Sequence, residues 1–449
     1  MKQSFKILSV GCLVLALTGP LFLYAQSGSQ EETAQQAGKK PANAADLVST
    51  ELIAANKNAI FDSRAQYTFI VKNASGTEQV GKVSYLVTTE TGQPLKTDSV
   101  KVRIGKRSSG SYTFDIPESK PGFYKVNFMV NVTDYDDTTR KAFGIRPDEI
   151  RSPHPKPADF DTFWLIAKRE LAAVAPDFRV TADPDKDTKT SNVYLIEMQS
   201  LGDITIRGWM TLPKNRSKHK KFAVFLDLPG YQVDLDPITS EDPDLALITL
   251  NVRGQGNSRG PIDTRHDEFI VRNIDDKNKY VMRGVIMDCI RCIDFICSRP
   301  ELDHNKIFVK GGSMGAYLAL ITASLDKRVT LCSAQSPILG DIRSLPGKVE
   351  FPMKNIERYL QTQPGLGMEK IMDNLDYFDV KNFVPQITCN TIMSIGLVDN
   401  YAPPDNEYVI YNGLQAKKHI MVFKDMGHDA SPVYIRFESE WMRDEFALF

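Results

Sequence analysis

The stretch that decides the fold is Lys306-Ile-Phe-Val-Lys310-Gly311-Gly312-Ser313-Met314-Gly315-Ala316. A short apolar run, typical of a buried strand, leads directly into glycines. Residues 316–325 then have an apolar pattern typical of a helix. The pattern Gly-x-Ser-x-Gly between a strand and a helix predicts a tight turn that projects the Ser313 hydroxyl. The helix N-terminus behind it would present backbone N–H groups to a developing oxyanion. A glycine-rich turn with an incidental serine is the alternative, which the flanking strand and helix disfavour.

Strand and helix patterns alternate on both sides of this turn. Apolar or alternating runs predict strands over 193–198, 204–212, 222–226, 245–252, 306–310, 329–334, 391–396 and 419–423. Helical spacing predicts helices over 280–298 and 316–325, and another helix opens at Phe160. Several strands are apolar throughout, as strands covered on both faces are. Residues 148–449 are therefore predicted to be α/β, a mostly parallel sheet with helices on both faces.

The segment before this region has a different period. Alternating apolar and polar residues recur in five or more short runs within residues 46–147, separated by turn signals such as Ser75-Gly76 and Thr91-Gly92. This pattern predicts a small all-β, immunoglobulin-like sandwich. The segment contains neither His nor Cys, so we interpret it as a spacer, an interface or a binding module.

The N-terminal residues predict export. Residues 1–25 combine Lys2 and Lys6 with a largely apolar stretch that ends at Ala25, a pattern typical of a cleaved signal peptide. An uncleaved anchor is the alternative, but Thr18-Gly19-Pro20 interrupts the apolar stretch. Residues 26–45 are small and polar and predict a flexible linker. We therefore expect a periplasmic or secreted protein with no stable membrane insertion after cleavage.

Composition and cysteine usage limit the partners. The chain has 55 Lys plus Arg against 56 Asp plus Glu, a net charge of -1, which gives nucleic acid no broad electrostatic attraction. Five cysteines of the expected mature chain lie in apolar segments without a histidine at ligand spacing; they are Cys289, Cys292, Cys297, Cys332 and Cys389. We therefore expect neither nucleic acid nor a metal as a partner.

A hydroxyl nucleophile needs a base and a carboxylate that orients the base. Asp399 follows the apolar run 391–396, and His428 follows the run 419–423. Both would lie at the carboxyl ends of strands, where sheets of this type bind ligands. The chain order Ser, Asp, His is that of the α/β-hydrolases. His266, in a charged loop, is the rival base, and the other histidines lie in loops or at strand starts.

Several separate motifs accompany this order within residues 155–447. They are Asn251-Val-Arg253-Gly254-Gln255-Gly256, Gly311-Gly-Ser-Met-Gly315, Ile395-Gly-Leu-Val-Asp399 followed by Pro403-Pro404, His428-Asp429, Tyr377-Phe378-Asp379, and Phe160-Asp161 with Phe163-Trp164. Together they resemble the R-G-Q signature, the serine elbow, the acid segment and the final histidine pair of the acetyl xylan esterase and cephalosporin C deacetylase family. This is carbohydrate esterase family seven.

The resemblance implies a role for each matched residue. Ser313 would be the nucleophile, His428 the general base and later acid, and Asp399 the orienting carboxylate. The backbone N–H groups of Tyr231 and Met314 would form the oxyanion hole. Residues 253–255, namely Arg253, Gly254 and Gln255, would be an architectural signature near the site. No cofactor is implied.

The implied reaction is removal of acetyl groups from xylan, xylo-oligosaccharides or small acetyl esters. The chain departs from the family pattern at Met314, where Gln is usual, and at Asp429, where Glu is usual. These departures leave the three reacting groups intact and bear on the substrate range. Family members often form closed oligomers, so a homo-oligomer is an open expectation.

Two other functions are compatible with the residues. A prolyl oligopeptidase-type peptidase shares the hydrolase fold and the triad, but its N-terminal propeller needs far more than about 100 strand-forming residues. An inactive carbohydrate-binding protein on the same scaffold is the second alternative. The intact set of Ser313, Asp399 and His428 argues against it.

Overall fold

The structure, a computed structural model, describes residues 47–215, 221–260, 262 and 266–448. The expected signal segment 1–25 and linker 26–45 lie outside these residues, as does His219. Among the helices of the described ranges, none combines the length and apolar character that a membrane crossing requires.

The N-terminal part is a sandwich of two sheets. Its strands are β1 (Val48–Ala54), β2 (Ile60–Phe61), β3 (Arg64–Asn73), β4 (Gln79–Thr88), β5 (Pro94–Ile104), β6 (Ser108–Pro117), β7 (Gly122–Val132) and β8 (Tyr135–Ile145). One sheet has the order β1-β3-β6 and the other β2-β8-β7-β4-β5. Alternate residues of these strands face inward, and Phe128 lies at the centre, in ring contact with Tyr67, Phe69 and Phe114.

The rest of the chain is a layered α/β domain. Its strands are β9 (Arg179–Ala182), β10 (Ser191–Ser200), β11 (Ile204–Pro213), β12 (Phe222–Leu228), β13 (Leu245–Asn251), β14 (Leu302–Gly312), β15 (Leu331–Gln335), β16 (Asn390–Gly396) and β17 (Lys418–Phe423). Its helices are α1 (Phe160–Ala173), α2 (His266–Phe269), α3 (Val281–Ser298), α4 (Met314–Leu325), α5 (Met353–Gln361), α6 (Met368–Leu375), α7 (Pro404–Gly413) and α8 (Pro432–Phe446).

A nine-stranded sheet organises this domain in the order β17-β16-β15-β14-β12-β13-β11-β10-β9. The strands from β17 to β13 are parallel, and β11, β10 and β9 continue the sheet antiparallel. Alternate residues of β14 serve the two faces, since Ile307 and Val309 belong to the core that contains α3 and α4, and Phe308 packs with Met442 and Phe446 of α8. The predicted α/β fold with a preceding all-β sandwich is confirmed.

A buried ion pair ties the sheet to α3. Arg253, just after β13, donates from Nε and Nη2 to the Asp288 carboxylate at 2.9 and 2.6 Å, and its backbone N–H donates to the same carboxylate. Both side chains are buried. Gly284 leaves the space for this approach, because a Cβ there would lie 2.2 Å from Nη1 of Arg253. The loop after β13 is thereby fixed against α3.

Removal of one partner of this pair should be severely destabilising. We expect Asp288→Ala to lower the free energy of unfolding by about 3–5 kcal/mol, because the Arg253 charge stays buried without its partner. Urea unfolding measures the change. Glu350→Ala, which breaks the exposed pair with Lys354, is the control and should cost less than about 1 kcal/mol. Equal losses in the two variants would contradict the assignment.

Candidate active site

The turn that carries Ser313 is a strained connection between β14 and α4. Ser313 has φ 59° and ψ -120°, a combination that non-glycine residues rarely adopt. A Cβ on Gly311 would lie 2.3 Å from the Gly315 carbonyl carbon, and one on Gly315 would lie 2.3 Å from the Leu228 carbonyl oxygen. Only glycine at these two positions allows the turn, which leaves Ser313 half-buried at the carboxyl end of the sheet.

Helix α4 begins at Met314, immediately after the serine. The first N–H groups of an α-helix have no intrahelical acceptor and carry the positive end of the helix dipole. The Met314 side chain is fully buried, so the residue offers its backbone rather than its thioether to this edge of the sheet. The turn therefore places a hydroxyl beside backbone donors that favour negative charge.

Asp399 and His428 are joined by a short hydrogen bond. Oδ2 of Asp399 lies 2.7 Å from Nδ1 of His428. Oδ1 of Asp399 accepts the backbone N–H groups of Tyr401 and Ala402 at 2.7 and 2.9 Å. The Asp399 carboxylate is fully buried, whereas the His428 ring is 20% exposed. Both carboxylate oxygens are thus satisfied, and the imidazole is held at Nδ1.

The segments that carry this acid and base pack backbone against backbone. Leu397 donates to the carbonyl of Phe423, and Val398 donates to the carbonyl of Met426. A Cβ on Gly396 would lie 2.4 Å from the carbonyl oxygens of Met426 and Gly427. A side chain at position 396 would therefore push the His428 loop away from Asp399.

Gln335, at the end of β15, connects the serine turn to the His428 loop. Its backbone carbonyl accepts the Ser313 N–H at 2.9 Å, and its side-chain amide donates to the carbonyl of Asp429 at 3.0 Å. The sequence interpretation missed this residue. Its position directly after the predicted strand 329–334, at the same sheet edge as Ser313, is the signal that could have identified it.

Tyr401 is the second residue that the sequence interpretation missed. Its ring centroid lies 5.1 Å from that of His428, and 51% of the residue is exposed. No sequence signal marks it, because a tyrosine in a loop after an acid segment has no distinctive pattern. The ring forms a solvent-facing aromatic surface beside the imidazole.

Tyr231 follows β12 and is fixed from two directions. Its ring lies 4.7 Å from that of Phe351, and its hydroxyl accepts the Ile270 N–H at 3.1 Å. The next residue, Gln232, has φ 56° and donates its N–H to Oε1 of Gln255. The segment after β12 is therefore anchored by the Arg253-Gly254-Gln255 loop.

Further contacts of residues 251–254 show the same bracing role. Asn251 exchanges hydrogen bonds with the backbone of Leu235 at 2.8 and 2.9 Å. Gly254 has φ 81° and abuts the Phe269 ring, so that a Cβ there would lie 2.6 Å from it. Arg253 contacts Asp288 and the carbonyl of Leu201. These contacts connect elements of the protein around the site.

Two of the other histidines are held elsewhere. His304 bonds to the carbonyl of Arg299, and the His419 ring packs against Phe437. His266 begins α2, and its side chain lies outside the described part of the chain. Among the described residues, no group of three or more His, Cys, Asp or Glu side chains is arranged to hold a metal ion.

A second carboxyl group lies beneath the site. Glu407 of α7 is fully buried, and neither of its carboxyl oxygens has a hydrogen-bond partner among the described residues. Burial raises the pKa of Glu407 well above its usual value, and the negative charges of Asp399 and Glu90 raise it further. Burial therefore favours the protonated, neutral form of the Glu407 carboxyl group.

Comparison with known proteins gives a consistent result. The sequence model of the acetyl xylan esterase (AXE1) family matches residues 147–444. Acetyl esterase Axe7A of Xylanibacter ruminicola is 28% identical over 317 residues, which are 68% of this chain and 70% of that protein.

Two solved structures are similar over the same part of the chain. The acetyl xylan esterase from Paenibacillus sp. R4 is 26% identical with a TM-score of 0.62, over 67% of this chain and 98% of that one. Acetyl xylan esterase 1 from Thermoanaerobacterium sp. is 24% identical with a TM-score of 0.60, over 67% and 97%. The second likeness shows the fold.

The raised pKa of Glu407 should make stability pH-dependent. Native Glu407 binds its proton more tightly than the unfolded chain, whose glutamate titrates near 4.5. The native state therefore loses stability as pH rises above that value towards the raised native pKa. Glu407→Gln lacks this titration, so its Tm relative to wild type should increase as the pH is raised above about 5.

Differential scanning calorimetry across that range measures this change. Glu440→Gln, on the exposed side of α8, is the matched control and should follow the wild-type curve. A constant difference between Glu407→Gln and wild type at all pH values would contradict a raised pKa of Glu407.

Proposed function

The chain belongs to the acetyl xylan esterase family, and from this premise we propose that it is a serine esterase that removes acetyl groups from acetylated carbohydrates such as acetyl xylan or xylo-oligosaccharides. The observation that carries the proposal is the 2.7 Å hydrogen bond between Asp399 and His428. It lies at the sheet edge where the strained Ser313 turn also ends. The export predicted from residues 1–25 would bring the enzyme to such substrates outside the cytoplasm.

Acylation begins at Ser313. Its Oγ attacks the ester carbonyl carbon while Nε2 of His428 takes the hydroxyl proton. The backbone N–H groups of Tyr231 and Met314 donate to the oxyanion of the tetrahedral intermediate. Collapse of the intermediate breaks the ester C–O bond, and the departing sugar oxygen takes the proton from the imidazolium. The acetyl group remains on Ser313.

Deacylation repeats these steps with water. His428 takes a proton from the water, whose oxygen attacks the acetyl carbonyl, and the second tetrahedral intermediate releases acetate and restores the Ser313 hydroxyl. The hydrogen bond from Nδ1 of His428 to Asp399 keeps Nε2 as the unprotonated nitrogen in the resting state. Two backbone donors hold the carboxylate against rotation during both steps.

Tyr401 supports a carbohydrate substrate. The acetyl group must reach Ser313 and His428, so the sugar that carries it must lie at the rim beside the imidazole. The half-exposed Tyr401 ring is at that rim. An aromatic face offers a large, rigid surface for the C–H groups of a sugar ring at a small cost in side-chain entropy.

The N-terminal architecture disfavours the peptidase alternative. A prolyl oligopeptidase-type enzyme carries a propeller before its hydrolase domain, whereas residues 48–145 form a two-sheet sandwich. The formed hydrogen bond between Asp399 and His428 likewise disfavours an inactive binding protein.

Acetate release from acetylated xylo-oligosaccharides tests the proposed function. Ser313→Ala should reduce kcat by about 10⁴-fold or more, because the nucleophile and its base act as a unit. Ser298→Ala, at the end of α3, is the control and should retain wild-type activity. Folded wild-type protein with no Ser313-dependent hydrolysis of any acetyl ester would refute the mechanism. Hydrolysis of p-nitrophenyl acetate alone would refute the carbohydrate substrate.

The Tyr401 ring should contribute to binding of the sugar and not to the chemical steps. We expect Tyr401→Ala to raise KM for acetylated xylo-oligosaccharides by about tenfold, equivalent to about 1.4 kcal/mol of lost contact. Its kcat/KM for p-nitrophenyl acetate should stay close to wild type, because the backbone N–H that holds Asp399 is retained. Tyr401→Phe keeps the ring and is the matched control. An equal loss on both substrates would contradict the role of the ring.

A further inference from the structure

The sandwich packs directly against the part of the large sheet that carries Asp399 and His428. The buried apolar cluster that forms the sandwich core also contains Ile395 of β16, Leu397 directly after β16, and Tyr408 of α7. The Phe123 ring of β7 lies 5.3 Å from the Tyr408 ring, and both residues are only 4% exposed. The two domains therefore share a continuous core at this edge.

Polar contacts attach the sandwich to the segment after Asp399. The Phe123 N–H donates to Oδ1 of Asp405, in the first turn of α7, at 2.9 Å. Glu90, in the turn between β4 and β5, lies 2.9 Å from Lys348, which in turn donates to Asn406 of α7 at 3.3 Å. Both contacts meet α7 within eight residues of Asp399, so the acid segment is anchored from the sandwich side.

A separate contact reaches the base. Nζ of Lys141, on β8, lies 2.6 Å from Oδ1 of Asp425. Asp425 precedes His428 by three residues, in the loop that follows β17. The pair is partly exposed, with side-chain exposures of 27% and 46%. The sandwich thus contacts the His428 loop separately from its contacts with the Asp399 segment.

The serine turn is held by the α/β domain itself. Its close approaches are to Leu228 and Gln335, and β15 lies between β14 and β16 in the sheet. A narrow cleft between the domains is lined by Glu90, Phe123 and Tyr124 from the sandwich and by Lys348, Leu397 and Asp399 from the other side. The sandwich therefore reaches the Asp399 segment through this cleft.

We propose that the β-sandwich is a positioning element of the acid–base pair, acting through Phe123 on the Asp399 segment and through Lys141 on the His428 loop. The inference rests on the proposed function for its catalytic consequence. Misplacement of a catalytic group by about 1 Å can cost about 100-fold in rate. Because these contacts act on the Asp399 segment and on the His428 loop, their loss should lower kcat and leave KM unchanged.

Phe123→Leu in the full chain tests the first contact. It removes the ring contact with Tyr408 and keeps the backbone hydrogen bond to Asp405. We expect kcat for p-nitrophenyl acetate to fall about tenfold or more, with KM within twofold of wild type. Phe114→Leu is the matched control, because Phe114 is equally buried in the sandwich and contacts Tyr85 and Phe128. It should retain wild-type kcat.

Lys141→Gln tests the second contact at a partly exposed position, where the variant should fold. It should lower kcat, and Lys141→Arg should restore it, because arginine keeps the ion pair with Asp425. Lys72→Gln breaks the exposed pair with Glu51 elsewhere on the sandwich and serves as the control. Equal kcat losses in Lys141→Gln and Lys72→Gln would overturn the positioning role.

A readout that does not need turnover separates this inference from the proposed function. We expect the proton of the hydrogen bond between Nδ1 of His428 and Asp399 to give a low-field resonance in the NMR spectrum. It should weaken or shift in Phe123→Leu and Lys141→Gln and remain in Phe114→Leu. Unchanged resonances in all variants, with unchanged kcat, would overturn the inference. If the wild-type protein showed neither this resonance nor esterase activity, the proposed function would be refuted instead.

Discussion

The candidate site depends on backbone segments that pack against each other with no side chain between them. Gly315 lies against the Leu228 carbonyl, and Gly396 lies against the carbonyls of Met426 and Gly427. The first approach fixes the serine turn, and the second holds the His428 loop to the Asp399 segment. Backbone contacts of this kind are stiff, because no rotamer can change to relax them. The main chain therefore positions Ser313, Asp399 and His428.

The sequence predicted the α/β domain well where the strands are buried on both faces. The apolar runs that became β12, β13 and β16 carry a strong signal, and the residues that follow β14, β16 and β17 were identified from it. The errors in the predicted strands have a common cause, namely polar or exposed residues that lack the apolar pattern of a buried strand. Strand β14 begins at Leu302, four residues before the prediction, because Asp303, His304 and Asn305 are polar. Strand β9 is short and mostly exposed, and its pattern is indistinguishable from that of a loop.

Long-range contacts explain what the sequence did not predict around the site. Gln335, Tyr401 and Glu407 have ordinary roles in a sequence, namely a strand end, a loop residue and a polar residue in a helix. Their importance arises from residues far along the chain, such as the Asp429 carbonyl that accepts from Gln335. The proposed positioning role of the sandwich has the same origin, since the hydrogen bond from Phe123 to Asp405 spans 282 positions. Local periodicity contains no information about such contacts.

The two N–H groups that hold Asp399 belong to the main chain of Tyr401 and Ala402. Any residue except proline supplies the same donor, so the grip on the carboxylate is independent of the side chains at these positions. A mutation at position 401 can therefore change the surface beside His428 while both backbone hydrogen bonds to Asp399 are kept. Under the proposed function, substrate preference can therefore drift at this position while the orientation of the catalytic acid is maintained.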